Sequence, residues 1–394
     1  MIKAISVSKH DHQLIFFSVT PVVLNDIILF TTKGAAEKYK SRFSHWRPIQ
    51  YINLVLAAAS IDYTGRSNEL SLYEHKLFDN AGDWGSQQHY MTVPSVGFGN
   101  TAATFAAPFS SKIRLDTKVT KINHENSGNA IISFTTNGVE YEVAAETVLV
   151  TVSLGVLKAG TIKFTPHLPS WKQDAIDNMG FGVTNKCYMQ WNDLNATVWP
   201  NGPDDKWFQI VTPDDETSGK WTTFFNPTVY KSIPTLEGWI GGQEAIDMEA
   251  QTDEEILDNI MTNLRSIFPA ITRPDRVIIS RWGQEPNIRG TYCFKQVGRH
   301  FSDDTWYLQE NVGRMWFAGE ATSSSSYGTA QGAWKSGDKA AREMKAELRR
   351  RLEARATQAE TTSWMSNSAG TIANPSCLIK RWYLALLLGL LLVT

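Results

Sequence analysis

The residues best placed to do chemistry lie in the run from Arg314 to Glu343. Apolar residues from Met315 to Ala318 predict a buried strand, after which Gly319 turns the chain and Glu320 places a carboxylate at the carboxyl end of that strand. Open α/β sheets hold their ligands at this end. A helix is predicted to begin at about Thr329, and its N-terminus would present free N–H groups and a partial positive charge. From spacing alone, an ordinary strand-to-helix connection is an equal alternative.

This run resembles a known family. The sequences FAGEAT and GTAQGAWKSG look like the C-terminal flavin-binding signature of the flavin-dependent amine oxidases, the family that includes monoamine, polyamine and spermine oxidases. Two further segments, 154–191 and 281–294, resemble the family in the same order, so the resemblance covers roughly Ile52 to Glu343. It implies FAD as the cofactor and assigns to its binding the residues Glu320, Thr329 and Ala330.

The segment 154–191 contains Lys186 in a predicted strand. Apolar neighbours such as Val183, Cys187 and Tyr188 would remove water from its ammonium and tune it for proton transfer. The resemblance implies that Lys186 is catalytic and holds a water molecule against the flavin N5 atom. From the residues alone, a strand-edge lysine whose side chain extends to water is the commoner outcome.

The segment 281–294 contributes two aromatic residues. The resemblance implies that Trp282 packs near the flavin and that Tyr292 acts in catalysis as one wall of the substrate cage. An aromatic wall suits an amine, because it gives the neutral amine a slot of low polarity and attracts the cation that arrives. Plain core aromatics are the alternative, in a chain with 14 Trp, 18 Phe and 12 Tyr.

The cage departs from the family pattern at one position. Many relatives carry a second aromatic nine residues after the glutamate of the signature, and this chain has Thr329 there. The departure disfavours a simple monoamine oxidase and favours a polyamine oxidase. Three carboxylates are candidates to bind the distal amines of a polyamine, with exposed surface charges as the alternative: Asp62, Glu69 and Asp83.

The resemblance therefore predicts an enzyme that oxidises an amine, preferably a polyamine, to an imine or aldehyde with FAD, while O2 is reduced to H2O2. Its partners would be the small-molecule amine and O2. A net charge of −2 gives no electrostatic reason to expect nucleic acid. A histone lysine demethylase is a further alternative, although no added chromatin-binding module is recognisable in the sequence.

The dinucleotide-binding motif of such an enzyme is absent from the sequence. Family members open with a strand and a GxGxxG turn that holds the FAD pyrophosphate, whereas residues 1–40 contain only the isolated Gly34. We therefore expect a member that is truncated at the front or preceded by an unrelated segment. The competing hypothesis is a non-catalytic relative that cannot bind FAD, since each charge-assisted hydrogen bond to phosphate contributes about 1.5–3 kcal/mol.

The predicted fold is α/β of mixed α+β character, with an incomplete FAD-binding, Rossmann-like domain and a substrate domain that has a mixed β-sheet and helices. The expected divisions are an unassigned segment 1–40, substrate-domain helices 41–91, FAD-binding residues 92–153, substrate-binding residues 154–300, a second FAD-binding part 301–356, and a polar linker with a hydrophobic tail, 357–394.

Several local signals refine this outline. Val119 lies in a strand predicted over 113–122, and the resemblance implies contact with the adenine of FAD, with a core valine as the alternative. Asn137 and Gly138 predict a hairpin turn. A helix is predicted after its cap, Thr252.

Metal and disulfide sites are not predicted. The three cysteines, Cys187, Cys293 and Cys377, are too scattered for either, and the eight histidines form no HxxH pairing. We expect Cys187 and Cys293 to be buried as small hydrophobic residues.

The C-terminus ends in KRWYLALLLGLLLVT, which is shorter than the roughly 20 residues that cross a bilayer. With the small residues and spacer before it, the tail is typical of a GPI-attachment signal, with attachment near Ser366, Asn367 or Ser368. Lys380 and Arg381 in the spacer argue against that interpretation. Membrane attachment through this tail and its absence are equal alternatives.

Overall fold

The computed structural model describes residues 3–6, 15–18, 56–57, 60–66, 69–70, 97–125, 129–202, 205–210, 219–231, 233–297 and 301–369. Its strands are β1 (Lys3–Ser6), β2 (Ile15–Ser18), β3 (Thr117–Asn123), β4 (Ala130–Thr136), β5 (Val139–Ala145), β6 (Val148–Val150), β7 (Lys163–Thr165), β8 (Gly180–Phe181), β9 (Thr184–Gln190), β10 (Trp207–Gln209), β11 (Thr223–Phe225), β12 (Thr235–Gly241), β13 (Arg276–Ile279), β14 (Cys293–Phe294) and β15 (Met315–Phe317). Its helices are α1 (Gly97–Ala106), α2 (Leu154–Lys158), α3 (Ser170–Asn178), α4 (Thr228–Lys231), α5 (Gln243–Met248), α6 (Asp253–Ile267), α7 (Phe301–Gln309) and α8 (Ala330–Ala369). Two compact units divide the chain, 1–340 and 341–394.

The largest sheet has the strand order β10-β11-β12-β9-β13 and is antiparallel in every pair. Side chains alternate across its strands, so Cys187 and Met189 of β9 point into a hydrophobic core together with Leu236 and Ile240 of β12. Helix α6 covers this core with its own apolar stripe, Ile256, Leu257, Ile260, Met261 and Leu264. The alternate residues of the sheet, including Lys186, lie on the opposite face.

Parallel pairing occurs in two other places. β15 pairs with β6, and β7 pairs with β3 at the edge of the four-stranded sheet β5-β4-β3-β7. A second hydrophobic cluster joins the two, through residues such as Val150, Phe317 and Ile122. The predicted mixed α/β fold class is thus confirmed.

The structure contains the predicted hairpin turn and helix cap, and one predicted strand begins later than expected. Asn137 and Gly138 have φ of 50° and 77° and connect β4 to β5, as the predicted hairpin requires. Thr252 caps α6 in a capping box with Glu255. β3 begins only at Thr117, later than predicted, since the left-handed φ of 50° at the residue before it interrupts extended structure.

The second unit consists of α8 beyond residue 340. Glu347 forms ion pairs there with Arg350 and Arg351 at 2.8 and 2.7 Å, so these two arginines lie on a salt-bridged face of the helix. Residues 357–369, predicted as linker, are helical instead, because glycine and proline are absent until Gly370. The tail 370–394 lies outside the described residues. Within the described part of the chain, no helix is both long and apolar enough to cross a bilayer.

Lys172 of α3 is completely buried. Its Nζ donates hydrogen bonds of 2.9, 2.7 and 2.7 Å to carbonyls at the end of α7, those of Tyr307, Leu308 and Glu310. The same Nζ lies 3.6 Å from the ring centroid of Phe317 in β15. Burial lowers the pKa of Lys172 to about 7. One side chain therefore ties α3, α7 and β15 together.

Lys172→Met should lower the free energy of unfolding by about 2–4 kcal/mol, because a buried acceptor that loses its donor costs about 1–3 kcal/mol and three carbonyls share this donor. Lys158→Met is the matched control, since it removes a single bond to the Asp177 carbonyl at an exposed position. Urea denaturation measures both variants. Equal, small losses would contradict a structural role for Lys172.

Candidate active site

Lys186 lies on β9, on the face of the large sheet opposite the hydrophobic core. Its Nζ is 3.7 Å from the ring centroid of its cross-strand neighbour Trp239 and 2.8 Å from Oε1 of the buried Glu237. The prediction that Lys186 has apolar surroundings is therefore wrong. Cys187, the next residue along β9, points into the core, and the carboxylate comes from β12, which sequence neighbours do not reveal.

Tyr292 lies beside the N-terminal end of the same strand. Thr184 N–H donates to Thr291 Oγ1 at 2.7 Å. The Tyr292 hydroxyl donates to the carbonyls of Ile61 and Asp62 at 3.3 and 3.1 Å, and Thr184 Oγ1 donates to the Ile61 carbonyl at 3.0 Å. Burial raises the pKa of Tyr292, which keeps its hydroxyl neutral. The ring thus lies next to Thr184, two residues before Lys186 and on the same face of β9.

Glu320 follows β15 and joins the Tyr292 segment to the signature loop. Its carboxylate accepts hydrogen bonds from the N–H of Gly328 at 2.8 Å and from the N–H of Cys293 at 3.3 Å. Burial raises the pKa of Glu320. Gly328 has φ of 68°, and a Cβ there would lie 3.1 Å from the Tyr292 ring, so loop and ring are in close contact. Glu320 is therefore bound to backbone on both sides of the site.

Thr329 is the N-cap of α8, which begins at the next residue, as predicted. Its Oγ1 accepts from the Gly332 N–H at 3.1 Å and donates to the Ser326 carbonyl at 2.6 Å. Further along α8, Ser336 Oγ bonds to both backbone groups of Gly319 at 3.0 Å. The helix is thereby fixed against the carboxyl end of β15. Capping also gives a reason for a threonine where many relatives have an aromatic residue.

A buried polar network around Asn185 positions Trp282, and the sequence analysis missed it. Asn185 Oδ1 accepts from the Trp282 N–H and the Ser280 hydroxyl, each at 3.0 Å, and its Nδ2 donates to Glu249 Oε1 at 2.8 Å. Glu249 also accepts from the Gly283 N–H at 2.8 Å. The Trp282 residue remains 40% exposed, so it is not a plain core aromatic. An asparagine at a core-facing position of a strand was the available signal.

Val119 is partly buried on β3, where it pairs with Phe134 and packs on the cluster that contains Phe317. The strand register shifts between Val119 and Lys121, which marks a bulge. These contacts are those of a core residue, and the adenine contact implied by the resemblance stays a prediction.

The three candidate carboxylates for distal amines differ in their surroundings. Asp62 is exposed, and its backbone carbonyl binds the Tyr292 hydroxyl. Glu69 forms an ion pair with Arg66 at 3.4 Å, while Asp83 lies outside the described residues. Asp62 alone is therefore placed next to a predicted catalytic residue.

Cys187 and Cys293 are both buried free thiols, as expected. Burial raises the pKa of Cys187 to about 12 and that of Cys293 well above its usual range, so neither is a ready nucleophile. Over the residues that the structure describes, no group of three or more His, Cys, Asp or Glu is arranged to hold a metal ion.

Comparison with known proteins identifies the family of this chain. The family model for flavin-containing amine oxidoreductases matches residues 36–345. The chain belongs to this family. The match includes residues 36–40, which the sequence analysis left unassigned, and it begins upstream of Ile52. Membership confirms the resemblance, and a flavin, FAD, is the family's cofactor.

Individual relatives cover parts of the chain. It is 36% identical over 231 residues to polyamine oxidase 4 of Oryza sativa subsp. japonica, a match over 59% of this chain and 45% of the relative. It is 33% identical over 211 residues to lysine-specific histone demethylase 1 homolog 1 of the same plant, over 52% of this chain and 24% of the relative. The chain thus spans about half the length, or less, of the curated relatives it matches.

Solved amine oxidases share the fold. Cyclohexylamine oxidase from Brevibacterium oxydans IH-35A superposes with a TM-score of 0.60 at 19% identity, over 82% of this chain and 68% of that structure. The antiparallel sheet and the parallel β6–β15 pair thus belong to an amine oxidoreductase fold.

Asn185→Ala should lower the free energy of unfolding by about 2–3 kcal/mol, since it leaves the Trp282 N–H without its acceptor and removes one of the donors to the buried Glu249 carboxylate. Asn192→Ala, at an exposed position just after β9, is the control and should change stability by less than about 0.5 kcal/mol. Chemical denaturation followed by circular dichroism compares them. Similar stabilities for the two variants would show that the network does not hold the Trp282 loop.

Glu320→Gln tests the buried carboxyl through pH. Because the pKa of Glu320 is raised on folding, its stabilising contribution is present below the unfolded pKa and is lost as pH rises through the folded pKa. Glutamine does not titrate, so the stability of the variant relative to the parent should increase as pH rises above the usual pKa of a glutamate, about 4.3. Glu140→Gln, on the exposed strand β5, should show no such trend. A stability difference between Glu320→Gln and the parent that does not change with pH would contradict burial of the Glu320 carboxyl.

Proposed function

We propose that this protein oxidises an amine with bound FAD, that O2 is reduced to H2O2, and that polyamines are the preferred substrates. The observation that carries the proposal is the contact path from β9 to α8. Tyr292 lies beside Thr184 on β9 and packs against Gly328, which precedes the α8 N-terminus. The two sequence regions that would face a flavin are therefore neighbours in space.

The described residues fit such a cofactor. Gly319 has φ of 150°, and a Cβ built there would meet no atom of the described residues within 4 Å, so these residues leave space at the carboxyl end of β15. This is the edge at which α/β sheets hold cofactors. When bound, a flavin would supply the acceptor for the hydride equivalent of the amine. The residues proposed to hold it are Val119, Trp282, Glu320, Thr329 and Ala330.

Two side chains are proposed to act on the substrate side. The buried, neutral Tyr292 would form an uncharged aromatic wall that favours the neutral amine over water. Lys186 is proposed to hold a water molecule, because its ammonium carries three donors and Glu237 accepts only one of them. The capped N-terminus of α8 would stabilise negative charge that develops beside it.

The polyamine preference draws on the relatives and on one residue. Polyamine oxidase 4 of rice matches a larger share of this chain than the rice demethylase does, 59% against 52%. The Thr329 hydroxyl is used as a helix cap, and its side chain supplies no second aromatic wall of the kind proposed for a monoamine cage.

A second candidate is a non-catalytic relative that does not retain FAD. The observation in its favour is the absence of a GxGxxG motif from the 394 residues. The absorbance of the purified chain separates the two proposals: flavin bands with peroxide release on addition of spermidine or spermine support the oxidase, and a colourless protein supports the alternative.

Lys186→Met should reduce peroxide release by about 100-fold, the usual contribution of a group that assists proton transfer, while flavin absorbance per mole of protein stays the same. Lys163→Met, an exposed lysine on β7, is the control and should behave as the parent does. Stopped-flow measurement with oxygen gives the rate. An unchanged oxygen rate for Lys186→Met would refute its catalytic assignment.

A further inference from the structure

The face of the large sheet that carries Lys186 also carries a row of aromatic rings. Strand pairing and alternation place on this face the side chains of Trp207, Phe225, Glu237 and Trp239, which we call the aromatic-acidic face. Trp207 lies 4.8 Å from Phe225 and 5.5 Å from Trp239 between ring centroids, with tilted and edge-on geometry. Trp207 remains 45% exposed, so the row is open to solvent at its outer end.

Glu237 places a charge in the middle of this row. The residue is only 6% exposed, and it lies opposite Phe225 on one neighbouring strand and Tyr188 on the other. Burial, followed by the negative charge of Glu237 and a hydrogen bond to it, raises the pKa of Tyr188 to about 12. A buried carboxylate is stable only when it is paired with a cation. The Lys186 ammonium is that cation, with its Nζ 2.8 Å from Glu237 Oε1.

The face also contains an unused donor. Trp239 Nε1 is buried and has no hydrogen-bond partner among the described residues. Buried polar atoms are normally paired, by protein, water or ligand. Because an ammonium group carries no lone pair, it cannot accept this hydrogen bond, and a water molecule beside the Lys186 ammonium would complete it.

We propose that Glu237, with the rings of Trp239, Trp207 and Phe225, binds one ammonium group of a diamine or polyamine in exchange for the ammonium of Lys186. The amine class of this ligand rests on the proposed function. The site differs from the carboxylates that sequence reasoning selected, because Glu69 is paired with Arg66 and Asp62 contacts the Tyr292 hydroxyl through its backbone carbonyl.

The chemistry of the face selects an organic cation. A carboxylate beneath aromatic rings attracts an ammonium through charge and through the ring quadrupoles, and it repels anions. Methylene groups between two ammonium groups would pack along Trp239 and Trp207, which a small inorganic cation cannot do. A monoamine whose only nitrogen must react elsewhere gains nothing from Glu237, so the face discriminates by the number of amino groups.

The exchange also frees Lys186. In the described arrangement its ammonium is tied to Glu237, and an arriving ammonium that takes over the carboxylate releases Lys186 to hold its water molecule. The number of positive charges beside Glu237 stays at one throughout, which avoids two cations or an unpaired carboxylate in a buried place.

Calorimetric titration of the purified protein with 1,4-diaminobutane and with butylamine tests this exchange. Glu237→Gln should weaken diaminobutane binding by about tenfold or more, the value of one charge-assisted hydrogen bond, and change butylamine binding by less than about twofold. Glu140→Gln, an exposed carboxylate on β5, is the matched control and should change neither. Unchanged diaminobutane binding in Glu237→Gln would overturn the inference, as would a parent protein that does not bind diaminobutane.

Two further variants keep the result clear if Glu237→Gln folds poorly. Lys186→Met removes the competing ammonium and should tighten diaminobutane binding several-fold, whereas a purely structural ion pair predicts weaker binding. Trp207→Leu, on the solvent-exposed edge strand β10, should weaken diaminobutane binding about threefold without disturbing the ion pair. Weaker diaminobutane binding in Lys186→Met together with tighter binding in Trp207→Leu would overturn the proposal.

The failure of the oxidase proposal would look different. A colourless protein that binds diaminobutane through Glu237 would refute amine oxidation and support the subsite. A flavoprotein that oxidises butylamine and diaminobutane with the same KM, in parent and Glu237→Gln alike, would support oxidation and overturn the subsite.

Discussion

The candidate site depends on one buried carboxylate. Glu320 accepts hydrogen bonds from the N–H of Cys293 and the N–H of Gly328, so a single side chain connects the start of β14, next to Tyr292, to the loop that leads into α8. Neither hydrogen bond exists within one secondary-structure element: the first joins residues 27 positions apart in the sequence, and the second joins residues 8 positions apart. The two backbone donors offset part of the cost of burying the charge. Desolvation is the larger effect, so the pKa of Glu320 is raised.

The same principle recurs elsewhere in the first unit. Lys172 ties α3 to α7 through three carbonyls, Asn185 holds the Trp282 loop through an amide, and Glu237 is paired with Lys186 across two strands. In each case a polar group inside an apolar setting fixes the relative position of two elements, because leaving it unpaired costs more than the bond itself contributes. The apolar core beneath the sheet supplies most of the folding free energy, and these polar contacts determine where the functional side chains lie.

Much of this could be predicted from the sequence. The β15 strand, the glycine turn, the helix from Ala330, the hairpin at Asn137 and Gly138 and the capping box at Thr252 are local patterns, and each was found where its residues indicated. The prediction for the surroundings of Lys186 was wrong, and the Asn185 network was missed. Both depend on contacts with residues distant in the sequence, which strand register and packing bring together. Thr329 was noted for the ring it lacks, whereas its hydroxyl has a positive role as a cap. The helical extension over 357–369 contradicts the predicted linker, since a polar composition without glycine or proline also suits an exposed helix.

The central claim is that β9 and the N-terminus of α8 face one cofactor. Hydrogen–deuterium exchange of the purified protein, with and without added FAD, tests it most directly. The account predicts that FAD slows exchange together in peptides that contain residues 184–190 and in peptides that contain residues 319–332. Protection of one region alone, or of neither, would contradict it.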